Sequence, residues 1–335
     1  MYRICSLLIA AAAVLPAQSP SYHLVHRYLL GEDGSWDYVV PDPPNHRVFL
    51  ARQNRLMVVD ENSGKLLGEV SGIDGAHGTA IAPKTGHGFA TEGRGQSVAM
   101  FDLKTYKVLS HIPAAEDADA ILYDAPSNRV FTLNGDAHSS TVIDPEEGKR
   151  ITSIPLGGKP EYGVSAGDGK VYANLTDISE VVEIDAKSLT VTRRWPTAPC
   201  KQPVSMAIDT EHHRLFSGCR SGLMAVSDYQ AGKIVATIPI GTGVDGAGYD
   251  PVYGDAFASN ANGSLTVIHQ DRPDEYHVSQ SVVTPERSKN MGIDPLTHRI
   301  FVVAAKFGPL AKGERRPPVL PGTFTLLVIE REPAH

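Results

Sequence analysis

Short runs in which apolar and polar residues alternate cover most of the chain, and turns rich in Gly, Asn, Asp and Ser separate them. Alternation with a period of two is the pattern of a half-buried β-strand, and the runs are also rich in β-branched residues. No segment sustains the 3.6-residue period of an amphipathic helix. The pattern therefore predicts an all-β protein.

The predicted strands repeat as a larger unit of four. A first strand ends at a turn such as Asp42-Pro43 or Asp294-Pro295, and a second strand of the type VFLA, VFTL or IFVV follows. A third strand of the type MVVD or TVID leads through a turn such as DENSGK to a fourth strand. Equivalent positions recur about every 40 to 44 residues, the period of four-stranded propeller blades, and seven units fit the chain.

The two ends of the repeated region complement each other. The last unit, Asn290–Glu332, has three predicted strands, whereas the segment Tyr22–Gly31 forms a strand that belongs to no unit. Radially repeated sheets close into a ring that leaves only short strand edges exposed. We therefore predict a single seven-bladed β-propeller whose last blade is closed by the N-terminal strand.

The blade motifs resemble those of the YVTN-type β-propeller repeat family (YncE-like proteins). The tetrapeptide VYAN (Val171–Asn174) matches the second-strand motif loosely, and VVDENSGK, VIDPEEGK and SDYQAGK match the companion motif well. The resemblance covers essentially the whole chain after its first 18 residues. It implies the propeller fold and specifies function hardly at all, because these motifs build blades.

Composition and charge narrow the range of functions. The net charge is −7 and no run of Lys and Arg exceeds two residues, which argues against nucleic acid as a partner. Residues 1–18 contain Arg3 and then an apolar run from Ile4 to Leu15, shorter than the roughly 20 residues that span a bilayer. They are predicted to be a secretory signal peptide, leaving residues 19–335 as a monomeric propeller, periplasmic or secreted, without a transmembrane segment.

Cys200 and Cys219 remain after cleavage of that peptide, and an even pair in an oxidising compartment favours a disulfide. Both should reach the same face of the fifth blade. The expected register places Cys219 nearer Val204 than Cys200, so a loop must fold back before the bond can form. The sequence is therefore compatible with either a disulfide or two free thiols.

Repeated turn residues suggest structure rather than chemistry. An Asp that ends a third strand commonly bonds the backbone two residues on, and only fragments of a calcium loop are present. His46, His213 and His298 each precede Arg at the same turn of the repeat, which favours a hydrogen-bonding role. Neither a tight metal-binding spacing nor a nucleophile motif occurs. The turn aspartates are Asp60, Asp102, Asp144, Asp185 and Asp228.

The best candidates for a site are the polar residues that begin the innermost strands, because a propeller gathers these positions at the mouth of its channel. They could hold a cation or a metal, or simply solvate the channel. Trp36, Asp117 and Tyr162 lie beside them. The predicted ligand-binding set is Asp37, His77, Asp119, Glu161, Gln202, Asp245 and Lys289.

One long insertion, Phe307–Gly322, separates the second and third strands of the last unit. It should lie on the same face as the channel mouth, where Lys306, Lys312, Arg315 and Arg316 would bring positive charge. A loop of this length is often functional, as a lid or a partner-binding segment, or else a plain flexible connection.

The sequence thus predicts an exported binding or scaffold protein that acts through its channel mouth and top-face loops. Its partner, a protein or a small molecule, is left unidentified, and no cofactor is predicted, although a divalent metal is possible at the mouth. The alternative is a metal-assisted hydrolase or lactonase that uses the mouth carboxylates.

Overall fold

In the part of the chain that the structure describes, twenty-eight strands form seven antiparallel sheets of four strands each, and these sheets are the blades of a β-propeller. The structure is a computed structural model that describes residues 21–314 and 316–332. The seven-bladed prediction is confirmed. The predicted signal peptide, residues 1–18, lies outside the described residues, and no helix within them has the length and hydropathy needed to cross a bilayer.

The strands are numbered in chain order, and β1 (Tyr22–Leu29) belongs to the last blade. Each blade runs outward from the channel. Blades 1 and 2 contain β2 (Val39–Asp42), β3 (Arg47–Arg52), β4 (Arg55–Asp60), β5 (Leu66–Ser71), β6 (Ala76–Ala82), β7 (His87–Glu92), β8 (Ser97–Asp102) and β9 (Val108–Pro113). Blades 3 and 4 contain β10 (Ala118–Asp124), β11 (Arg129–Asn134), β12 (Ser139–Asp144), β13 (Lys149–Pro155), β14 (Pro160–Ser165), β15 (Lys170–Leu175), β16 (Glu180–Asp185) and β17 (Thr190–Pro196).

The remaining three blades follow the same plan. Blades 5 and 6 contain β18 (Pro203–Asp209), β19 (Arg214–Cys219), β20 (Leu223–Asp228), β21 (Lys233–Pro239), β22 (Val244–Asp250), β23 (Asp255–Asn260), β24 (Ser264–Arg272) and β25 (Glu275–Val283). Blade 7 contains β26 (Met291–Asp294), β27 (Arg299–Ala304), β28 (Thr325–Arg331) and β1. A single turn of 3₁₀ helix, Pro43–Asn45, joins β2 to β3.

An aromatic residue occupies the same position in the second strand of each blade and packs between neighbouring blades. Each of these side chains is at most 2% exposed. Phe216, for example, lies 5.1 Å from Tyr249 of the next blade between ring centroids. Burial of one such ring contributes about 3 kcal/mol, so the repeated aromatic position explains why neighbouring sheets pack face to face. The seven residues are Phe49, Phe89, Phe131, Tyr172, Phe216, Phe257 and Phe301.

The turn aspartates stabilise backbone, as predicted. Asp60 Oδ1 accepts hydrogen bonds from the amides of Asn62 at 3.1 Å and Ser63 at 2.8 Å. Asp102, Asp144 and Asp185 likewise accept hydrogen bonds from the amides two and three residues on. Asp228 accepts a hydrogen bond only from the amide three residues on. Each carboxylate therefore satisfies the turn that leads into its fourth strand.

The repeated turn histidines are also structural. His46, His213 and His298 have φ values of 51°, 61° and 61°, the left-handed region that a tight turn requires. His46 Nδ1 lies 2.8 Å from Glu61 Oε1, and the equivalent atom of His298 lies 2.9 Å from a carboxylate of Asp250. These contacts stabilise turns on the face opposite the channel mouth.

The N-terminal strand closes the ring, as predicted. β1 pairs antiparallel with β28, from Tyr22 opposite Arg331 to Leu29 opposite Thr325. Tyr22 also joins blade 7 to blade 6, because its hydroxyl donates to Asp255 Oδ2 at 2.8 Å and its ring lies 5.1 Å from that of Phe257. The seam is thus both a sheet pairing and a contact between blades.

Cys200 and Cys219 form a disulfide, with their Cα atoms 5.8 Å apart. Cys219 pairs with Pro203, the first residue of β18, so the chain folds back between Cys200 and the strand. The Thr197 hydroxyl donates to the Cys200 carbonyl oxygen at 2.9 Å and holds this turn. The folded loop that the sequence required is therefore present.

Candidate functional site

The register of the innermost strands places one polar side chain from each of six blades at the channel mouth. In blades 2 and 3 the first residue of the innermost strand, Ala76 or Ala118, pairs with the last residue of the next strand. The residue that follows, His77 or Asp119, then faces the channel because side chains alternate along a strand. The strands approach closely here, since a Cβ on Gly78 would lie 3.0 Å from the Asp119 carbonyl oxygen.

Five of the predicted residues line one cavity of about 840 Å³, which we call the cup. They come from blades 1, 3, 4, 6 and 7. His77, the sixth, contacts two of them from blade 2. The sequence prediction of a shared mouth therefore holds for six positions, and the five that line the cup are Asp37, Asp119, Glu161, Asp245 and Lys289.

Gln202, the seventh predicted residue, does not line the cup. Pro203 occupies the position of Ala76 and Ala118, so Val204 is the blade 5 equivalent of His77, but it is 1% exposed and packs in the hydrophobic core. Gln202 lies two residues earlier and lines a neighbouring recess that also contains Arg220. This recess shares Asp119, Glu161 and Arg220 with the cup. Gln202 therefore lies beside the cup, and its role in ligand binding stays a prediction.

Two tyrosines obstruct the channel beneath the cup. The ring of Tyr38 lies 5.3 Å from that of Tyr162, and the Tyr38 hydroxyl donates to the Glu161 carbonyl oxygen at 3.1 Å. Blades 1 and 4 stand on opposite sides of a seven-membered ring, so this contact spans the channel. Burial raises the pKa of both tyrosines above the ordinary value of 10, and both remain protonated donors at neutral pH.

Two of the four mouth carboxylates have basic partners. Lys289 Nζ contacts Asp245 Oδ2, and an Arg220 guanidinium nitrogen lies 3.3 Å from Glu161 Oε1. Burial raises the pKa of Glu161, and the Arg220 charge opposes that effect. Charge is therefore largely compensated on the side of the cup formed by blades 4, 6 and 7.

Asp37 and Asp119 instead share one histidine. His77 Nδ1 lies 2.6 Å from Asp37 Oδ2 and 3.4 Å from Asp119 Oδ1. Burial raises the pKa of both carboxyl groups. Burial lowers the pKa of His77, but the hydrogen bond to Asp37 and the nearby carboxylate charges outweigh it and raise that pKa to about 9. The three groups consequently hold a proton tightly among them.

The insertion of blade 7 covers one side of the cup. It is folded back on itself, with Phe307 bridged to Val319 and the Leu320 amide donating to the Lys306 carbonyl oxygen at 2.8 Å. Phe307 and Arg316 line the cup, so the prediction that the insertion lies on the mouth face is confirmed. Of the other predicted cations, Lys306 and Lys312 are exposed and absent from the cup lining, and Arg315 lies outside the described residues.

The wall beneath the insertion is aromatic and cationic. Trp36 lies 6.0 Å from Phe307 between ring centroids, and the Arg287 guanidinium lies 5.3 Å over the Phe307 ring. Sequence reasoning missed Arg287 and Tyr38. Arg287 occupies the same pre-strand position as Asp117, with a positive φ of 66°, so the repeat itself contained the signal.

No protein-family model and no curated protein matches the chain. The cup offers carboxyl groups and a histidine on one side, guanidinium groups and aromatic rings on the other, and hydroxyl groups at its base.

Proposed function

We propose that the protein is a binding protein whose cup holds a small anionic ligand with an apolar part. The observation that carries the proposal is the wall of Trp36, Phe307, Arg287 and Arg316 over a cavity obstructed at its base. A volume of about 840 Å³ falls within the range of small-molecule sites.

The guanidinium groups indicate the charge of the ligand. Within residues 21–314 and 316–332, no carboxylate lies within salt-bridge distance of Arg287 or Arg316, in contrast to Lys289 and Arg220. A guanidinium group binds a carboxylate or phosphate through two parallel hydrogen bonds. The adjacent rings of Trp36 and Phe307 supply a surface for an apolar or aromatic group.

The carboxyl side of the cup opposes a ligand anion less strongly than four ordinary carboxylates would. Lys289 and Arg220 pair with Asp245 and Glu161, and burial raises the pKa values of Asp37, Asp119 and Glu161. An aryl carboxylate or aryl phosphate satisfies both walls at once. An aryl cation would face the unpaired guanidinium groups and bind less tightly.

Calorimetry with benzoate, phenyl phosphate and benzylamine tests the proposal. We expect at least one of the two anions to bind and benzylamine to bind more weakly. The double variant Arg287→Ala/Arg316→Ala should lose at least about tenfold in affinity, since one charge-assisted hydrogen bond contributes about 1.5–3 kcal/mol. Arg150→Ala, at an exposed arginine on the outer strand of blade 3, is the matched control. Tighter binding of benzylamine, or an unchanged double variant, would contradict the proposal.

Removal of residues 308–321 separates fold from binding. These residues connect β27 to β28 and form no blade strand, so the shortened protein should unfold at the same urea concentration as the full chain. It should bind the anionic probe more weakly, because Arg316 and Val319 are lost from the cup. Retained affinity would show that the insertion is not part of the site.

We further propose that the protein is exported and belongs among the YVTN-type propellers. Support for export comes from the sequence of residues 1–18 and from the Cys200–Cys219 disulfide, a bond typical of oxidising compartments. Support for the family comes from the blade motifs alone. Mass spectrometry of the protein recovered from a periplasmic extract tests the first point, with an N-terminus near Ser19 expected.

A second candidate function is hydrolysis of a lactone or ester. The observation that favours it is the Asp37–His77–Asp119 group at the cup, since paired carboxyl groups with raised pKa values can act in general acid–base catalysis. A panel of lactones and aryl esters assayed with the native protein and with Asp119→Asn tests it. Turnover that Asp119→Asn abolishes would favour this function over simple binding.

A further inference from the structure

We infer that Asp37, His77 and Asp119 form a binding site for a divalent transition-metal ion such as Zn²⁺. Their ligand atoms, one from each of blades 1, 2 and 3, lie within 4.8 Å of one another. The inference deepens the proposed function, because Asp37 and Asp119 also line the cup where the anionic ligand is proposed to bind.

The first argument is charge. Lys289 and Arg220 compensate Asp245 and Glu161, but no Lys or Arg in the described part of the chain lies within salt-bridge distance of Asp37 or Asp119. The charges of Asp37 and Asp119 are thus balanced by the one imidazole of His77. A divalent cation balances two carboxylate charges, whereas a protonated histidine balances one.

The second argument is an unsatisfied atom. Asp119 Oδ1 is buried and accepts no hydrogen bond. The nearest donor, His77 Nδ1, is 3.4 Å away and is already engaged by Asp37 Oδ2 at 2.6 Å, so one proton cannot satisfy both carboxylates. A buried oxygen without a hydrogen-bond partner is destabilising, and a metal ion bound between the three atoms would satisfy it.

The third argument is geometry. Zinc–ligand distances of about 2.0–2.2 Å place tetrahedral ligand atoms roughly 3.3–3.6 Å apart. The Nδ1 to Asp119 Oδ1 distance of 3.4 Å already fits. To reach the same spacing, the 2.6 Å distance between His77 Nδ1 and Asp37 Oδ2 must lengthen by about 0.8 Å. This is feasible because the His77 and Asp37 side chains are 33% and 27% exposed.

The mixture of ligands indicates the class of metal. Calcium and magnesium prefer oxygen ligands throughout, whereas imidazole with carboxylates suits zinc, cobalt and related ions. Three protein ligands leave a coordination position open. Since two of the three ligands line the cup, an anionic group of the bound ligand can occupy that position while Arg287 or Arg316 binds its other oxygen.

The test is calorimetric titration of the untagged, chelator-treated protein with ZnCl₂, with CoCl₂ absorption spectroscopy as a second readout and CaCl₂ as the comparison. We expect one Zn²⁺ per chain, a cobalt spectrum changed by binding, and no comparable Ca²⁺ affinity. His77→Ala and Asp119→Asn should each weaken Zn²⁺ binding by more than about tenfold, since even outer partners of a ligand contribute that much.

His212→Ala is the matched control. His212 Nδ1 lies 2.8 Å from one carboxylate, that of Asp209, with a side-chain exposure of 38%. It should bind Zn²⁺ as the native protein does. Urea midpoints of all variants identify any that fail to fold, and the nearly isosteric Asp119→Asn guards against a packing effect in His77→Ala.

Two results would overturn the inference: native protein that binds neither Zn²⁺ nor Co²⁺, or folded His77→Ala and Asp119→Asn that bind Zn²⁺ as tightly as native protein. The same titrations repeated with benzoate or phenyl phosphate separate the two proposals. Anion binding without metal binding leaves the proposed function intact and removes the metal site. Metal binding without anion binding leaves the metal site intact and removes the proposed function.

Discussion

The seam between β1 and β28 predicts that a single side chain, Tyr22, controls the stability of the whole ring. Tyr22 is 3% exposed and contacts blade 6 through Phe257 and Asp255. Its removal as Tyr22→Ala leaves a cavity of aromatic size, for which about 3–5 kcal/mol is typical. With an m-value of about 3 kcal/mol/M, a loss of 4 kcal/mol lowers the urea midpoint by about 1.3 M.

The hydroxyl contributes a separable part of that loss. Burial, with the Asp255 charge, raises the pKa of Tyr22 well above its usual range, so the group donates its proton throughout the working pH range. Tyr22→Phe keeps the ring and should cost about 1.5–3 kcal/mol, the range for hydrogen bonds to charged groups. Tyr28→Phe in the same strand is the control, because its hydroxyl donates to the Asn62 carbonyl oxygen at a solvent-exposed position.

Two tryptophans allow the assay to follow opposite parts of the ring. Trp36 lies beside the seam, 5.3 Å from Phe324 between ring centroids, whereas Trp195 is buried in blade 4. Urea unfolding of Trp36→Phe and Trp195→Phe backgrounds should give coincident transitions that Tyr22→Ala shifts together. If only the Trp36 signal shifts, the seam opens locally. If neither shifts, the closing role of β1 is wrong.

Two further predictions concern stability. Cys200→Ser opens a disulfide that spans 19 positions and should cost about 3 kcal/mol, measured as a urea midpoint that reductant lowers in the native protein and leaves unchanged in the variant. Burial raises the pKa of Glu183, but hydrogen bonds from Arg193 and Thr192 outweigh it and lower that pKa below 4.5. The unfolded chain then binds more protons, so this stabilisation is complete above about pH 4.5 and is lost as the pH falls through the folded value. The free energies of unfolding of the native protein and Glu183→Gln should therefore differ by about 1–3 kcal/mol at pH 7. This difference should shrink as the pH falls below about 4.5, and a constant difference would contradict the prediction.

Much of the fold could be predicted because the repeat encodes it locally. The alternation within strands, the turn after Asp60 and its equivalents, and the unpaired segment at Tyr22 are all visible in the printed sequence. The insertion at Phe307 also follows, since the face on which a loop lies depends only on which two strands it connects. These features need no knowledge of contacts between distant residues.

The site was less predictable because its contacts join distant blades. The Tyr38–Tyr162 pair crosses the ring, and the guanidinium of Arg287 meets a ring supplied by the insertion. Repeat spacing gives the direction of a side chain but not its partner. Gln202 lies one residue before β18 and lines a neighbouring recess, a placement that repeat spacing does not reveal. That His77 lies between two carboxylates, rather than facing one, depends on side-chain rotamers.

Closure by β1 also has a consequence for the timing of synthesis. β1 is made first, but its partner β28, which begins at Thr325, is made last. At roughly 5–20 residues per second, about 15 to 60 s separate the two strands. Blade 6, which includes Phe257, is made only near the end of that interval, and until blade 7 follows it lacks the neighbour that covers it in the finished ring. Blades 6 and 7 are therefore fully covered only when the first strand pairs with the last.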